Sequence, residues 1–175
     1  MKKGVSLCEH LQHLQTTYTI PILQYRNKNG SLQEKKEALL KIRTYYDGIL
    51  IVNDSIELID YADGLHVGQE DIRAYAKTPS QAIKEIRNQI GSKLLGLSTH
   101  NKEEILEANQ LSLDYVGLGA FRPTQTKSNV SITGKLLLAI AKSSRHPVGL
   151  IGGIKCSDSF ESHIAYKVIG SDLFK

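Results

Sequence analysis

Short apolar runs recur along the chain, separated by stretches whose apolar residues fall three or four positions apart. Gly48-Ile49-Leu50-Ile51-Val52 is apolar after its glycine and bounded by Asp47 and Asn53, which suits a strand buried on both faces. Comparable runs occupy 19–24, 63–67, 93–97, 115–119, 148–151 and 166–169. Ser31-Leu32-Gln33-Glu34 reads as a capping box, and Ala38, Leu39 and Ile42 then share one helical face. Thr78-Pro79-Ser80-Gln81 is a second box with proline at the first helical position, ahead of Ala82, Ile83, Ile86 and Ile90. Asn101 to Glu104 opens a helix carrying Ile105, Leu106 and Ala108, and Leu136 to Ala141 is the heart of another. Leu7, Leu11 and Leu14 mark one more at the start.

Buried strands alternating with helices predict parallel βα units. The strands recur every twenty to thirty residues or so, about the spacing of a (β/α)8 barrel. An open doubly wound sheet is the alternative, but neither Gly-x-Gly-x-x-Gly nor a Walker loop occurs. The expected fold is therefore α/β, an incomplete (β/α)8 TIM barrel in a single domain spanning 1–175. It has about seven strands and lacks the barrel's first strand, due before Val5, and its last helix, due after Phe174.

Composition narrows the class. With 41% hydrophobic and 23% charged residues in 175, a core can form without disulfides or a structural metal. Leu136 to Ala141 is far short of a membrane span. Met1-Lys2-Lys3 is basic, but Glu9, His10, Gln12 and His13 interrupt any signal-peptide pattern. Cys8 and Cys156 form neither a metal pair nor a framework, so a reducing, cytoplasmic setting is expected. The net charge of +4 is spread out, without the basic stripe and aromatic platforms of a nucleic-acid binder.

In a parallel barrel, chemistry gathers at the C-terminal ends of the strands. Those ends carry Gln24-Tyr25-Arg26-Asn27-Lys28, Asn53-Asp54, His66 to Asp71, Ser98-Thr99-His100, Pro123-Thr124-Gln125-Thr126-Lys127 and Gly152-Gly153. Arg26, Lys28 and Lys127 together can neutralise a pyrophosphate better than one lysine can. Asp54 and Asp71 beside a polyphosphate suit Mg2+, which takes a few carboxylates plus phosphate oxygens and water. Thr124, Thr126 and Gly152-Gly153 can form a second anion nest from hydroxyls and backbone N–H groups. The chemistry read from these residues is the joining of two phosphorylated small molecules with pyrophosphate as leaving group. Blander readings stand beside it: Asp54 and Asp71 also fit helix N-caps, His66 a core histidine, and Arg26, Lys28 and Lys127 solvated loop charges.

Taken together, Gln24-x-Arg26-x-Lys28, Ile51-Val52-Asn53-Asp54, Asp63 to Asp71, Gly96-Leu97-Ser98-Thr99-His100, Asp114 to Gly119, Pro123-Thr124-Gln125-Thr126-Lys127 and Ile151-Gly152-Gly153-Ile154 resemble the thiamine-phosphate synthase family, in order, from about residue 20 to 155. The resemblance implies a (β/α)8 barrel that couples hydroxymethylpyrimidine pyrophosphate to hydroxyethylthiazole phosphate. It assigns Arg26, Lys28, Asn53, Ser98 and Lys127 to the pyrophosphate, and Gln24 and His66 to the pyrimidine pocket. Thr124, Thr126 and Gly153 fall to the thiazole phosphate, and Asp54 and Asp71 to Mg2+. The related thiazole tautomerase carries a catalytic histidine just ahead of the segment matching Phe121-Arg122-Pro123-Thr124, where this chain has Gly119-Ala120. A non-catalytic binder of thiamine precursors on the same barrel is a further alternative. The expected partners are phosphorylated small molecules, and a second copy covering an open sheet edge.

Overall fold

The structure is a computed structural model that describes residues 7–122 and 134–174. Helix α1 (Leu7–Thr17) precedes strand β1 (Ile22–Tyr25). Then come α2 (Leu32–Arg43), β2 (Ile49–Asn53), a 3-10 turn at Ile56–Tyr61 and β3 (Gly64–Val67). A second 3-10 turn at Asp71–Ala74 leads into α3 (Pro79–Ile90), followed by β4 (Leu94–Thr99), α4 (Lys102–Ala108) and β5 (Tyr115–Leu118). Last are α5 (Lys135–Ala141), β6 (Val148–Ile151), β7 (Ile164–Val168) and a 3-10 turn at Ser171–Phe174. The strands stand in chain order, β1 to β7, in a parallel sheet. The predicted α/β alternation is therefore observed, with seven strands among the described residues.

The boundaries differ from the sequence reading in ways that have causes. The first strand begins after Pro21 rather than at Thr19, since proline offers no N–H to the ladder, although its carbonyl still accepts from Ile49 N at 3.1 Å. Ser31 caps α2 as predicted: its hydroxyl accepts from Glu34 N at 3.2 Å while the Glu34 carboxylate accepts from Ser31 N at 2.8 Å. Thr78 accepts from Gln81 N at 3.3 Å at the start of α3, and Asn101 accepts from Glu104 N at 2.8 Å at the start of α4.

The backbone gathers into two compact units. One holds the chain up to His66 together with Gln89–Leu94, and the other holds Val67–Asn88 and everything from Leu95 on. In the first unit, Leu50, Ile51 and Val52 are all buried, so β2 is covered on both faces as its unbroken apolar run predicts. Leu39 and Ile42 of α2 are buried as well. In the second, Ile83 and Ile86 of α3, Leu95 and Leu97 of β4, Ile105, Leu118, Leu137 and Leu150 are among the buried residues.

The two units repeat one device at the N-terminal ends of their strands. In the first, Asp63, just ahead of β3, accepts from Leu50 N at 2.8 Å and from Arg43 Nη2 at 2.6 Å. In the second, Asp114, just ahead of β5, accepts from Leu95 N at 2.7 Å and from Arg87 Nη2 at 2.6 Å. Both arginines lie in the last turn of the preceding long helix, where their charge also suits the helix dipole. Each triad ties a helix end, a strand start and the neighbouring strand's backbone together.

Candidate functional site

In the first unit, the C-terminal ends of β1, β2 and β3 bring several predicted residues into register. Asn53 pairs with His66 across β2 and β3, and Gln24 Nε2 donates to Asn53 Oδ1 at 2.5 Å. His66 is buried at 6% exposure. Arg26 and Lys28 are exposed just beyond the end of β1. Asp54 follows β2 directly and has φ 62°, the left-handed region that an aspartate tolerates better than most residues but still at a cost. Its N–H is held by His66 O at 2.9 Å, so the surrounding backbone imposes the conformation. Residues held this way concentrate at functional positions. The position capping the 3-10 turn that follows belongs to Ser55, so Asp54 is not the N-cap that its place in the sequence allowed.

Sequence reading did not single out Lys35. It lies in the first turn of α2 and its Nζ donates to the buried Ser55 hydroxyl at 3.2 Å, next to Asp54. A signal was available: the first turn of a helix leaving a parallel strand faces the carboxyl rim, and the Ser31 capping box fixes where that turn begins.

In the second unit, Gly68 N donates to Asp71 Oδ2 at 3.1 Å, so the carboxylate folds back over its own turn, and Glu70 rather than Asp71 occupies the N-cap position. One carboxylate oxygen is thereby engaged and the turn is fixed. Gln69 Nε2 donates to Ser98 O at 2.9 Å, tying this loop to the end of β4. His100 is held by Glu104, which accepts from its backbone N at 2.8 Å and lies 3.0 Å from its Nδ1. After β5 and β6, Arg122 Nη1 donates to Gly153 O at 2.6 Å and Arg122 N to Gly152 O at 3.0 Å. Gly152 and Gly153 have φ of 91° and 65°, which a side chain would strain. Pro123, Thr124, Thr126 and Lys127 lie outside the described residues.

Among the described residues, no group of three or more His, Cys, Asp or Glu side chains is arranged to hold a metal ion. The donor chemistry at Asp54 and Asp71, single hard carboxylates at strand ends, suits Mg2+, which keeps water and phosphate oxygens as its other ligands. No helix among the described residues is long and apolar enough to cross a membrane.

Parallel α/β proteins bind their ligands at the carboxyl ends of their strands, and this chain carries polar residues and a Gly-Gly turn at those ends. Comparison with known proteins gives the family. The family model described as thiamine monophosphate synthase matches residues 5–166, and the chain belongs to that family. It is 38% identical over 149 residues to the thiamine-phosphate synthase of Dictyoglomus turgidum, covering 81% of this chain and 63% of that protein. It is 40% identical over 144 residues to that of Caldicellulosiruptor bescii, covering 78% of this chain and 62% of that protein. Among solved structures, the thiamine phosphate pyrophosphorylase of Pyrococcus furiosus superposes with a TM-score of 0.71 at 28% identity, over 86% of this chain and 70% of that one. The chain spans a little over three-fifths of the length of these curated relatives.

Proposed function

We propose that this chain is a thiamine-phosphate synthase: it couples hydroxymethylpyrimidine pyrophosphate to hydroxyethylthiazole phosphate, giving thiamine phosphate and pyrophosphate. The observation that carries the reading is the family match across residues 5–166. The bond from the pyrimidine's methylene carbon to pyrophosphate oxygen breaks, and the thiazole nitrogen's electron pair forms the new C–N bond. The nitrogen carries no proton, so no general base is required.

The chain's own groups then have these tasks. Arg26 and Lys28 after β1, with Asn53, Ser98 and Lys127, take up the charge that develops on the leaving pyrophosphate, which lowers the barrier of a dissociative step. The Gln24–Asn53 hydrogen bond spends one donor of Gln24 and one acceptor of Asn53. By count it leaves Asn53 Nδ2 to donate toward an anion and Gln24 Oε1 to accept from an aminopyrimidine. His66 lines the pyrimidine pocket. Thr124, Thr126 and Gly153 hold the thiazole phosphate. Asp54 and Asp71 would hold Mg2+, which when bound neutralises pyrophosphate charge. The protein is expected to work in the cytoplasm as a homodimer, a second copy covering exposed strand edge.

The test is pyrophosphate release from purified protein with Mg2+ and either or both substrates. Release is expected only with both, and Asp71→Asn is expected to lower the rate on the order of 100-fold, as loss of a transition-state electrostatic contact does. No release from folded protein, or isomerisation of the thiazole carboxylate precursor without the pyrimidine substrate, would overturn the reading.

A further inference from the structure

Of the six connections between successive strands, five contain a helix or 3-10 turn. The sixth, residues 152–163 between β6 and β7, contains neither. Parallel strands usually cross over through a helix, and the helix's first turn fixes the loop at the strand's carboxyl end. Here that loop is the Gly152-Gly153 turn, and something else must hold it.

The holding groups are side chains. Arg122 grips Asp158 through two parallel bonds, Nη1 to Oδ2 at 2.7 Å and Nη2 to Oδ1 at 2.9 Å. The same Nη1 donates to Gly153 O at 2.6 Å. Asp158 Oδ2 also accepts from Lys155 N at 2.8 Å, and Lys167 Nζ of β7 donates to Asp158 O at 3.0 Å and Cys156 O at 3.1 Å. The Arg122 guanidinium lies 4.8 Å from the Phe121 ring centre, and that ring meets Phe160 edge-on at 5.3 Å. A bidentate arginine–carboxylate pair has both strength and a fixed geometry. The Arg122 hydrogen bond holds the Asp158 carboxyl down to about 2, so the pair stays ionised at any assay pH.

We propose that Arg122 and Asp158 are positioning residues that set the shape of the Gly152-Gly153 turn for its phosphate ligand, in place of the missing crossover helix. The inference rests on the synthase reading, in which Gly153 serves the thiazole phosphate. It differs from a direct role, in which the Arg122 guanidinium itself binds phosphate. The guanidinium is turned to Asp158 and Gly153 O instead. The two roles predict opposite effects of Asp158→Asn. A direct ligand released from its carboxylate binds phosphate as well as before or better. A positioning residue deprived of its partner lets the turn relax, and binding weakens.

The experiment measures, by calorimetry, the Kd of hydroxyethylthiazole phosphate and, separately, of inorganic pyrophosphate with Mg2+, for the full chain and for Asp158→Asn and Arg122→Met. Circular dichroism monitors folding. Both variants are expected to weaken thiazole phosphate binding about tenfold, the usual scale for losing a supporting contact behind a ligand site, with pyrophosphate affinity within about twofold. Asp158→Asn binding thiazole phosphate unchanged or more tightly would overturn the proposal. So would a parallel loss of both ligands, which marks general loosening of the fold. Wild-type protein that binds neither ligand would instead sink the synthase reading beneath it. Should Arg122→Met fail to fold, Asp158→Asn alone decides, because it keeps the side chain's size and the arginine in place.

Discussion

Removing the Asp63 carboxylate tests which part of the Arg–Asp–backbone device stabilises the fold. The side chains of Asp63 and Arg43 are 49% and 35% exposed, so their ion pair contributes only about 0.2–1 kcal/mol. Leu50 is fully buried, and its N–H has the Asp63 carboxylate as partner at 2.8 Å. A hydrogen bond to a charged acceptor contributes about 1.5–3 kcal/mol, and the donor left behind adds its own penalty. Water can enter beside a half-exposed carboxylate, which places Asp63→Ala near the lower end, about 2 kcal/mol. Asp63→Asn keeps one acceptor oxygen and loses the charge, for about 1 kcal/mol. Arg43→Met keeps the packed stem and loses the ion pair and the bond to Gly48 O, again about 1 kcal/mol. The assay is urea unfolding followed by far-UV circular dichroism, as the chain has no tryptophan. Amide exchange at Leu50 is the local readout, and it should accelerate in Asp63→Ala before any other amide of β2. Burial pushes the Asp63 carboxyl up, but the Leu50 N–H and the Arg43 guanidinium outweigh it, so its pKa is lowered. The stability this group gives is therefore complete above its unfolded value of about 3.9, and is lost as pH falls through the lower folded value. Asp63→Asn should lack that component of the acid limb. An Arg43→Met cost equal to that of Asp63→Ala, or a Leu50 amide no faster in the mutant, would refute the argument that the buried N–H dominates.

Two further outcomes follow from packing and burial. A Cβ on Gly96 would lie 2.1 Å from Tyr115 Cζ, so Gly96→Ala should displace the ring and cost about 1–3 kcal/mol, read as a fall of about 2–4 °C in Tm per kcal/mol. The loss should shrink in Gly96→Ala with Tyr115→Ala, and strictly additive losses would show that the contact is not the cause. Tyr46 is buried with its hydroxyl near Ile20 O and Ile49 O, and burial pushes its phenol up to about 12. Burial pushes the Tyr115 phenol up as well, so alkaline absorbance titration should show two late tyrosines, of which Tyr46→Phe removes one, with stability falling as pH rises from about 10, the unfolded value, toward the folded value of Tyr46. A titration unchanged by that substitution would disprove the assignment.

Much of the fold was legible because the chain states its rules locally. The capping box at Ser31 and the unbroken run at β2 each have one physical solution, and the structure adopts it; of the box expected at Thr78, the hydroxyl's bond from Gln81 N is observed. Pro21 displaced a strand start for want of an N–H, a refinement periodicity alone does not give. The site was legible differently. Gln24, Asn53, Ser98 and Gly153 were singled out by their place at the ends of predicted strands. The partners they take, Asn53 for Gln24 and Arg122 for Gly153, depend on register and on a turn 31 residues away in sequence. Lys35 and Asp158 went unseen because nothing in their immediate sequence distinguishes them from ordinary surface charges. Only the fold brings Ser55 to the one and Arg122 to the other.

The aspartates make the same point about cause. Asp63 and Asp114 precede strands, while Asp54 and Asp71 follow them. Residue type is identical in all four, and a charge count treats them alike. At the N-terminal ends each carboxylate is bound by an arginine and a buried N–H, so its charge is neutralised within the fold. At the C-terminal ends Asp54 sits in a strained left-handed backbone and Asp71 accepts a backbone N–H from its own turn. Asparagine or glycine would adopt Asp54's conformation more readily than aspartate does. In the synthase proposal, the carboxylate at this strained position is assigned to a ligand through its charge. Under the synthase proposal, the end of the strand on which an acidic residue falls thus separates the carboxylates that tie the fold together from those assigned to a ligand, and that end can be read once the strands are placed.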